Sequence, residues 1–394
     1  MEKSSRVLSI DIMRGLTLVL MLFVNDLYMP GVPVWLGHTK ADFDGMGLAD
    51  WVFPGFLFMV GMSIPYAIGK RLTRGENRID ILSHILIRTV SLLIIGVLMA
   101  NSRNVNGEFT GINKNIWSFI VYSGVFLIWN DYKKTEKNKY LLSILRVAGV
   151  LMIIPMVWIF RSGETSGFRF NSWGILGTIG WGYLAATLVY IAARDNISKT
   201  AVALVSFLAL NVLSKLNLLD FMNPVKPVLG ILINGNAPFI VLAGLFTTLI
   251  LKKYSKDNAG KTFMIIALLG ILFIVAGFIF RNWFIISKIR STPSWGLICN
   301  GISMILFAIL FLIVDIRKKV KWGHFLMPAG RNSLTVYLVP DMFYYIIWQF
   351  SLPFLFYKQS GIPLVVVAGS VIWALIMGAG LPVLLERINF RLRL

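Results

Sequence analysis

A histidine in the loop between the first two apolar segments is the side chain best suited to acid–base chemistry. His38 lies in the Gly-rich stretch 28–49, after Asn25 near the end of the first segment and before Asp50 at the start of the second. An ordinary histidine pKa of about 6.5 suits general acid or base catalysis at neutral pH. His38 is therefore a candidate catalytic residue. The alternative interpretations are an ordinary surface histidine and, for Asp50, an ordinary helix N-cap.

Other polar residues interrupt apolar segments, where ionisable groups usually face a protein interior or a water-filled cavity. Asp11 and Arg14 are three residues apart, so they can pair on one face of a helix. Asn234 and Asn236 lie beside a Gly and a Pro that could interrupt their helix, and the run 330–333 reads GRNS. These groups either line a cavity or hydrogen-bond to neighbouring helices.

The composition requires a membrane environment. Of 394 residues, 57% are apolar and only 14% are charged, about half of the roughly 25% found in soluble domains. This excludes a soluble enzyme, a disordered regulator and a fibrous protein. The net charge of +20 is explained by the placement of Lys and Arg in loops, so no nucleic-acid partner is expected. A single cysteine and three scattered histidines give no metal-ligand spacing, so no metal site is expected.

Apolar runs near the roughly 20 residues needed to cross a bilayer recur along the whole chain. They predict an all-α fold, a polytopic transmembrane helix bundle that forms one domain over residues 1–394. The twelve candidate spans are 7–28, 50–69, 80–100, 115–130, 141–160, 172–193, 200–214, 228–251, 262–280, 296–315, 328–349 and 363–385.

The distribution of basic residues predicts the topology. The two termini and every second loop hold 23 of the 38 Lys and Arg residues, and the intervening loops hold 11. Because cytoplasmic loops carry the excess, both termini are expected in the cytoplasm and the number of spans is expected to be even. If the weak pair between residues 200 and 251 enters the membrane and returns, the count falls to ten. We therefore predict ten to twelve spans.

A resemblance to a known family extends this interpretation. The run Arg6 to Gly15 (RVLSIDIMRG), then Asn25 and His38, then Gly47 to Phe58 (GLADWVFPGFLF) resembles the opening of the heparan-alpha-glucosaminide N-acetyltransferase family and its bacterial relatives. Later segments, including Gly330 to Tyr337 (GRNSLTVY), agree in order and hydropathy. The first sixty or so residues are the specific part.

The resemblance implies a membrane acetyltransferase that moves acetyl from acetyl-CoA to the amino group of a terminal glucosamine or related amino sugar. By position, His38 matches the catalytic histidine, acting as a base or carrying the acetyl group itself. Asp50 would then hold one ring nitrogen, and Asn25 would donate to the oxyanion. The loop after His38 is longer than is usual in the family, which leaves the acceptor open.

Acetyl-CoA, as a co-substrate, requires cations for its phosphates. We expect Arg14, Arg88, Arg331 and Asn332 to bind it. The expected partners are thus acetyl-CoA, an amino-sugar or glycan acceptor and the lipid bilayer, and a homodimer is compatible with the sequence. Because the amino-terminal lumenal region of lysosomal members is absent, we expect a multi-pass protein of a bacterial inner membrane.

Two other functions remain open at this stage. One is a proton-coupled transporter or flippase that uses Asp11, Asp50 and Asp341 as coupling groups. The other is an O-acetyltransferase that modifies a hydroxyl of an envelope glycan. The sequence contains neither a Gly-x-x-x-x-Gly-Lys-Ser/Thr nucleotide loop nor a Gly-x-Ser-x-Gly elbow, so an ATP-driven pump and an α/β-hydrolase are not indicated.

Overall fold

The protein is a helical bundle. The computed structural model describes residues 7–29, 32–133, 135, 139–171, 173–255 and 258–394. The main helices in chain order are α1 (Leu8–Asp26), α2 (Leu48–Thr73), α3 (Arg78–Ser102), α4 (Lys114–Trp129), α5 (Lys139–Ile159), α6 (Gly174–Ala193), α7 (Ile197–Lys215), α8 (Lys226–Asn234), α9 (Asn236–Tyr254), α10 (Ala259–Phe280), α11 (Pro293–Ile316), α12 (Ser333–Gln349) and α13 (Pro363–Arg387).

The predicted number of membrane spans is confirmed. Ten of the described helices are long and apolar enough to cross a membrane, with α8 and α9 counted as parts of one span. Two of the twelve predicted segments contain helices shorter than the 18 residues required of a candidate span, namely α4 with 16 residues and α12 with 17. The alternative in which the weak pair between residues 200 and 251 enters the membrane and returns is not supported, because that region contains two of the ten candidate spans. The chain is therefore a multi-pass membrane protein.

Contacts between loops define two ends of the bundle. At the end that carries His38, hereafter the His38 end, the carboxylate of Asp44 accepts the Ile286 N–H at 2.8 Å. At the opposite end, Asp315 caps α1 by accepting N–H bonds from its first turn. The loop after α4 also bonds there to the backbone near the carboxyl terminus. Consecutive spans thus run antiparallel, with α8 and α9 forming one span, and both described ends of the chain lie at the opposite end.

The helix that carries Asp50 is held by a close backbone crossing. A Cβ atom on Gly61 of α2 would collide with the carbonyl oxygen of Val241, and one on Gly244 of α9 would collide with that of Phe58. Small residues let helices approach in lipid, where packing replaces the hydrophobic effect as the driving force. The crossing fixes α2 against α9, so its first turn has a defined position at the His38 end.

Candidate active site

His38 and Asp50 form a hydrogen-bonded pair. His38 Nδ1 lies 2.8 Å from Asp50 Oδ1. The His38 side chain is 52% exposed, whereas the Asp50 side chain is 0% exposed. A carboxylate accepts hydrogen bonds and cannot donate them, so the proton between the two groups belongs to Nδ1. The other ring nitrogen, Nε2, is then the one left for chemistry.

Several donors converge on the Asp50 carboxylate. Its Oδ2 atom accepts bonds from the Thr39 N–H, the Thr39 hydroxyl and the Gly47 N–H, each at 3.0 Å. Gly47 is the N-cap of α2 and Asp50 is the third helical residue, so the N-cap interpretation of Asp50 is wrong. The carboxylate folds back onto the N-cap N–H, as in a capping box. These bonds hold Asp50 in one orientation behind His38.

Lys288 is a third member of the site that the sequence did not reveal. Its Nζ atom lies 3.2 Å from His38 Nδ1, 4.0 Å from Asp50 Oδ1 and 3.2 Å from the Ala49 carbonyl oxygen. Since Nδ1 carries a hydrogen, Lys288 donates to Ala49 and acts on His38 as a nearby positive charge. Burial lowers the pKa of Lys288, and the Asp50 carboxylate partly opposes this shift.

The loop 281–292 brings Lys288 to the site from 250 residues away in sequence. It is anchored by Asp44, whose pKa is lowered mainly by the Ile286 N–H and further by the Arg281 guanidinium at 2.7 Å. The Ser287 hydroxyl also donates to the Ala41 carbonyl oxygen. In the sequence, Lys288 is one of several lysines in loops, and no motif or spacing relative to His38 distinguishes it from the others.

A cavity of about 380 Å³ opens beside these groups. Its volume lies within the roughly 300–1,000 Å³ range of ligand sites. The wall is largely apolar. Polar groups come from α1, α6 and α12, from the residues just after α3, and from the loops 28–47 and 281–292. They are Asn25, His38, Arg103, Asn104, Thr178, Lys288 and Tyr337. A small molecule in this cavity would therefore meet the imidazole, two amides and two cations.

The structure thus brings Asn25 and His38 to the same cavity and places Asp50 behind His38. Asn25 is exposed at the last turn of α1. Its neighbour Asp26 is buried, where it accepts bonds from the hydroxyls of Tyr344 and Tyr357 and pairs with Lys358 at 2.7 Å. This cluster, which the sequence did not predict, ties the end of α1 to α12 and to the loop before α13, and so fixes the backbone that carries Asn25.

The residues expected to bind acetyl-CoA lie away from this cavity. Arg14 donates to the Gly330 carbonyl oxygen at 3.2 Å and to the Ser63 hydroxyl. Asn332 donates to Glu386 at 2.8 Å, and Arg331 is exposed at the end of the short helix Met327–Arg331. These three therefore come together at the opposite end, where Arg14 also pairs with Asp11 at 3.8 Å.

Arg88 belongs to a different contact. Its guanidinium carbon lies 4.8 Å from the centre of the Tyr183 ring, so it packs α3 against α6. Within the ranges that the structure describes, no three His, Cys, Asp or Glu side chains come together as metal ligands would.

The fold and the site together define the class: a multi-pass membrane protein with a His–Asp–Lys cluster at the mouth of a cavity. Residues 6–218, more than half of the chain, match the family described as "Domain of unknown function (DUF5009)". The chain belongs to this family.

Two curated relatives resemble a quarter of the chain. Heparan-alpha-glucosaminide N-acetyltransferase from Mus musculus is 38% identical over 100 residues, which are 25% of this chain and 15% of the mouse protein. The Homo sapiens protein of the same name is 38% identical over 96 residues, 24% of this chain and 14% of the human protein. The match thus spans about one seventh of each relative, and it agrees with the family resemblance in the sequence.

Proposed function

We propose that the protein is a membrane acetyltransferase that moves acetyl from acetyl-CoA to the amino group of a glucosamine or related amino sugar. The observation that carries the proposal is the His38–Asp50 pair, in which a buried carboxylate engages Nδ1 and leaves Nε2 for a substrate in the cavity. The two similar N-acetyltransferases support the same chemistry. Localisation in a bacterial inner membrane, with cytoplasmic termini, belongs to this proposal.

His38 acts in this mechanism as a general base. The acceptor nitrogen attacks the thioester carbonyl carbon, a C–N bond forms and the C–S bond breaks. The proton leaving the nitrogen passes to His38 Nε2, and the departing CoA sulfur finally receives a proton. Asp50 stabilises the imidazolium that forms, as orienting carboxylates do in other His-dependent acyl transfers. Acetyl transfer through Nε2 itself uses the same geometry.

The remaining polar groups of the cavity have supporting roles. Asn25 is a donor for the oxyanion that develops on the thioester oxygen, and such donors contribute about 3 kcal/mol when well aimed. Lys288 places a positive charge near Nδ1, which favours return of the proton from His38 once the acetyl group has moved. The anionic donor first meets the exposed Arg331, beside Arg14 and Asn332, at the opposite end. The two substrates then approach from opposite sides of the membrane, and the thioester arm of acetyl-CoA extends between the helices to His38.

Acetyl transfer by purified protein tests the proposal. Detergent-purified chain is incubated with radiolabelled acetyl-CoA and glucosamine, beside the variants His38→Ala and His324→Ala. His324 is the matched control because it is an exposed histidine at the opposite end. We expect His38→Ala to lose about 10²–10⁴-fold in rate, the usual contribution of a general base, and His324→Ala to retain the wild-type rate. Near-full transfer by His38→Ala would contradict the mechanism.

The same preparation distinguishes the other two functions. If mild base cleaves the acetyl group from a glycan product, the product is an ester and not an amide. That result would favour O-acetyl transfer to a hydroxyl group. No binding of acetyl-CoA, together with solute flux that depends on pH and membrane potential in proteoliposomes, would favour a transporter.

A further inference from the structure

A second cavity of about 270 Å³ adjoins the first. Phe53 of α2 and Thr178 of α6 line both cavities, so these two side chains form the partition between them. The remaining wall comes from α8, α9, the loop 281–292 and the first turn of α11. The second cavity therefore lies one side-chain layer from the cavity that contains His38.

The break between α8 and α9 exposes amide groups to this second cavity. Gly235 adopts a φ of 76°, a left-handed conformation that separates Asn234 from Asn236. Asn236 is only 2% exposed, and its Nδ2 donates to Asn211 Oδ1 and to the Thr292 carbonyl oxygen. Its Oδ1 atom is buried and has no hydrogen-bond partner among the described residues. Buried polar atoms are usually satisfied, so an unpaired one calls for a ligand or water donor.

The chemistry of the lining defines the occupant. The first cavity carries His38, Arg103 and Lys288, whereas none of the described residues that line the second cavity is ionisable. Asn234, Asn236 and the Ser291 hydroxyl supply uncharged hydrogen-bonding groups there, and Phe53 and Trp295 supply flat apolar surfaces. An uncharged sugar ring matches such a lining, because its hydroxyl groups point outward from apolar ring faces.

Two contacts link the second cavity to the reacting groups. The Trp295 indole N–H donates to the Asp50 carbonyl oxygen at 3.2 Å. In the loop 281–292, the Ser291 hydroxyl donates to the Lys288 carbonyl oxygen at 3.3 Å. A ring in the second cavity would therefore be held by the same elements that position the His38–Asp50 pair.

We propose that the second cavity binds an uncharged sugar ring adjacent to the reacting amino sugar, so that the natural acceptor is at least a disaccharide. The inference rests on the proposed function and adds to it the size and chemistry of the acceptor. The amino sugar occupies the first cavity beside His38, and the glycosidic bond passes the partition of Phe53 and Thr178.

Gly230 offers a way to fill the second cavity selectively. It lines this cavity, and a Cβ atom added there would meet nothing within 4 Å. Gly230→Leu therefore adds a large side chain at the wall of this cavity without an immediate clash, and Gly230→Ala provides a smaller step. Gly380→Leu is the matched control, because a Cβ atom on Gly380 of α13 likewise meets nothing within 4 Å and that residue lines neither cavity.

The experiment compares two acceptors. Glucosamine and glucosaminyl-N-acetylglucosamine, a disaccharide with an uncharged second ring, are assayed with wild type and the three variants. We expect the wild type to use the disaccharide with a kcat/KM at least about tenfold higher, the effect of one or two good hydrogen bonds. Gly230→Leu should lose this preference through a raised KM for the disaccharide, with glucosamine kinetics unchanged. Gly230→Ala should lose part of it, and Gly380→Leu none.

The outcomes separate the inference from the proposed function. Equal kcat/KM for both acceptors in the wild type would overturn the inference and leave the acetyltransferase standing. A preference that persists in Gly230→Leu would also overturn it, because the second ring would then lie elsewhere. If the wild type transfers acetyl to neither sugar, the proposed function fails as well. Thermal unfolding of each variant, compared with wild type, establishes that a lost preference arises in folded protein.

Discussion

The two ends of the bundle hold their polar residues in different ways. At the His38 end, Asp50 and Lys288 are packed around an imidazole that still faces a cavity. At the opposite end, the hydrogen bonds go to other parts of the protein: Arg14 donates to the Gly330 carbonyl oxygen, and Asn332 donates to the Glu386 carboxylate. The first arrangement prepares a side chain for a ligand, whereas the second joins helices to one another.

This difference separates the predicted site residues into those whose substitution should affect the reaction and those whose substitution should affect stability. A side chain that its neighbours orient toward the cavity should mainly affect the rate of the reaction when it is removed. The fold does not depend on the part of that side chain that faces the cavity. A group that joins α1 to the segment before α12 changes stability first, because its partners are left buried without a bond. Variants at the two ends should therefore differ in which measurement they affect.

The largest effect is expected for Asp50→Asn. The amide keeps the size of the carboxylate but allows the wrong imidazole tautomer and cannot stabilise imidazolium, so kcat should fall about 10²–10⁴-fold. The KM for acetyl-CoA should change little. Steady-state acetyl transfer measures both constants. A variant with wild-type kcat would show that the buried pair is only structural, and the contrast between the two ends would disappear.

A smaller effect, visible mainly in the pH profile, is expected for Lys288→Met. Lys288→Met removes a positive charge 3.2 Å from His38 Nδ1. The variant should therefore lack any alkaline change in kcat/KM that deprotonation of Lys288 causes in the wild type. Because burial lowers the pKa of Lys288, the wild type should also lose this charge at a pH below the usual lysine value.

Arginine at this position provides the control for Lys288. Lys288→Arg keeps its charge at alkaline pH, so any alkaline loss of activity caused by deprotonation of Lys288 should disappear. Asp50 and Arg103 are present in all three proteins, so their charges cancel in the comparison. Identical profiles for the three proteins would remove Lys288 from the chemistry.

The smallest effects on rate are expected at the opposite end. Arg331→Ala removes an exposed cation, so it should raise the KM for acetyl-CoA severalfold and leave the unfolding temperature unchanged. Arg14→Ala breaks bonds to Ser63 and Gly330, so it should lower the unfolding temperature whether or not CoA binds there. Kinetics and thermal unfolding of both variants test this. An unchanged KM in both would exclude this end as the CoA site.

The fold was accessible from the sequence because each helix must satisfy its own backbone bonds in lipid. That requirement imposes long apolar segments, and it explains why each of the twelve predicted segments contains a helix. The interruption expected beside Asn234 and Asn236 is also present, since Gly235 adopts a left-handed conformation there. The short segment 115–130 matches α4 in length, whereas α12 begins at Ser333, five residues after the predicted start, because Met327–Arg331 forms a separate short helix.

The candidate site was only partly accessible. His38 stood out because titratable groups are scarce in such a chain. Asp50 by itself was equally compatible with an ordinary helix N-cap, and only the family resemblance indicated its role beside His38. Lys288 and the tyrosines around Asp26 gave no comparable signal. They reach the site through contacts between residues separated by about 250 and more than 300 positions, and no local pattern encodes such a contact.

The sequence by itself determined that this chain is a helical membrane protein and that its one loop histidine near the first two spans is the residue to examine. Only the tertiary structure decided which groups surround that histidine, that the nearby polar residues line a cavity, and that a second, uncharged cavity adjoins it. The physical reason is the separation in sequence over which each interaction acts. Hydropathy and backbone hydrogen bonding act within a segment, whereas the electrostatic surroundings of an imidazole depend on where separate helices and loops finally pack.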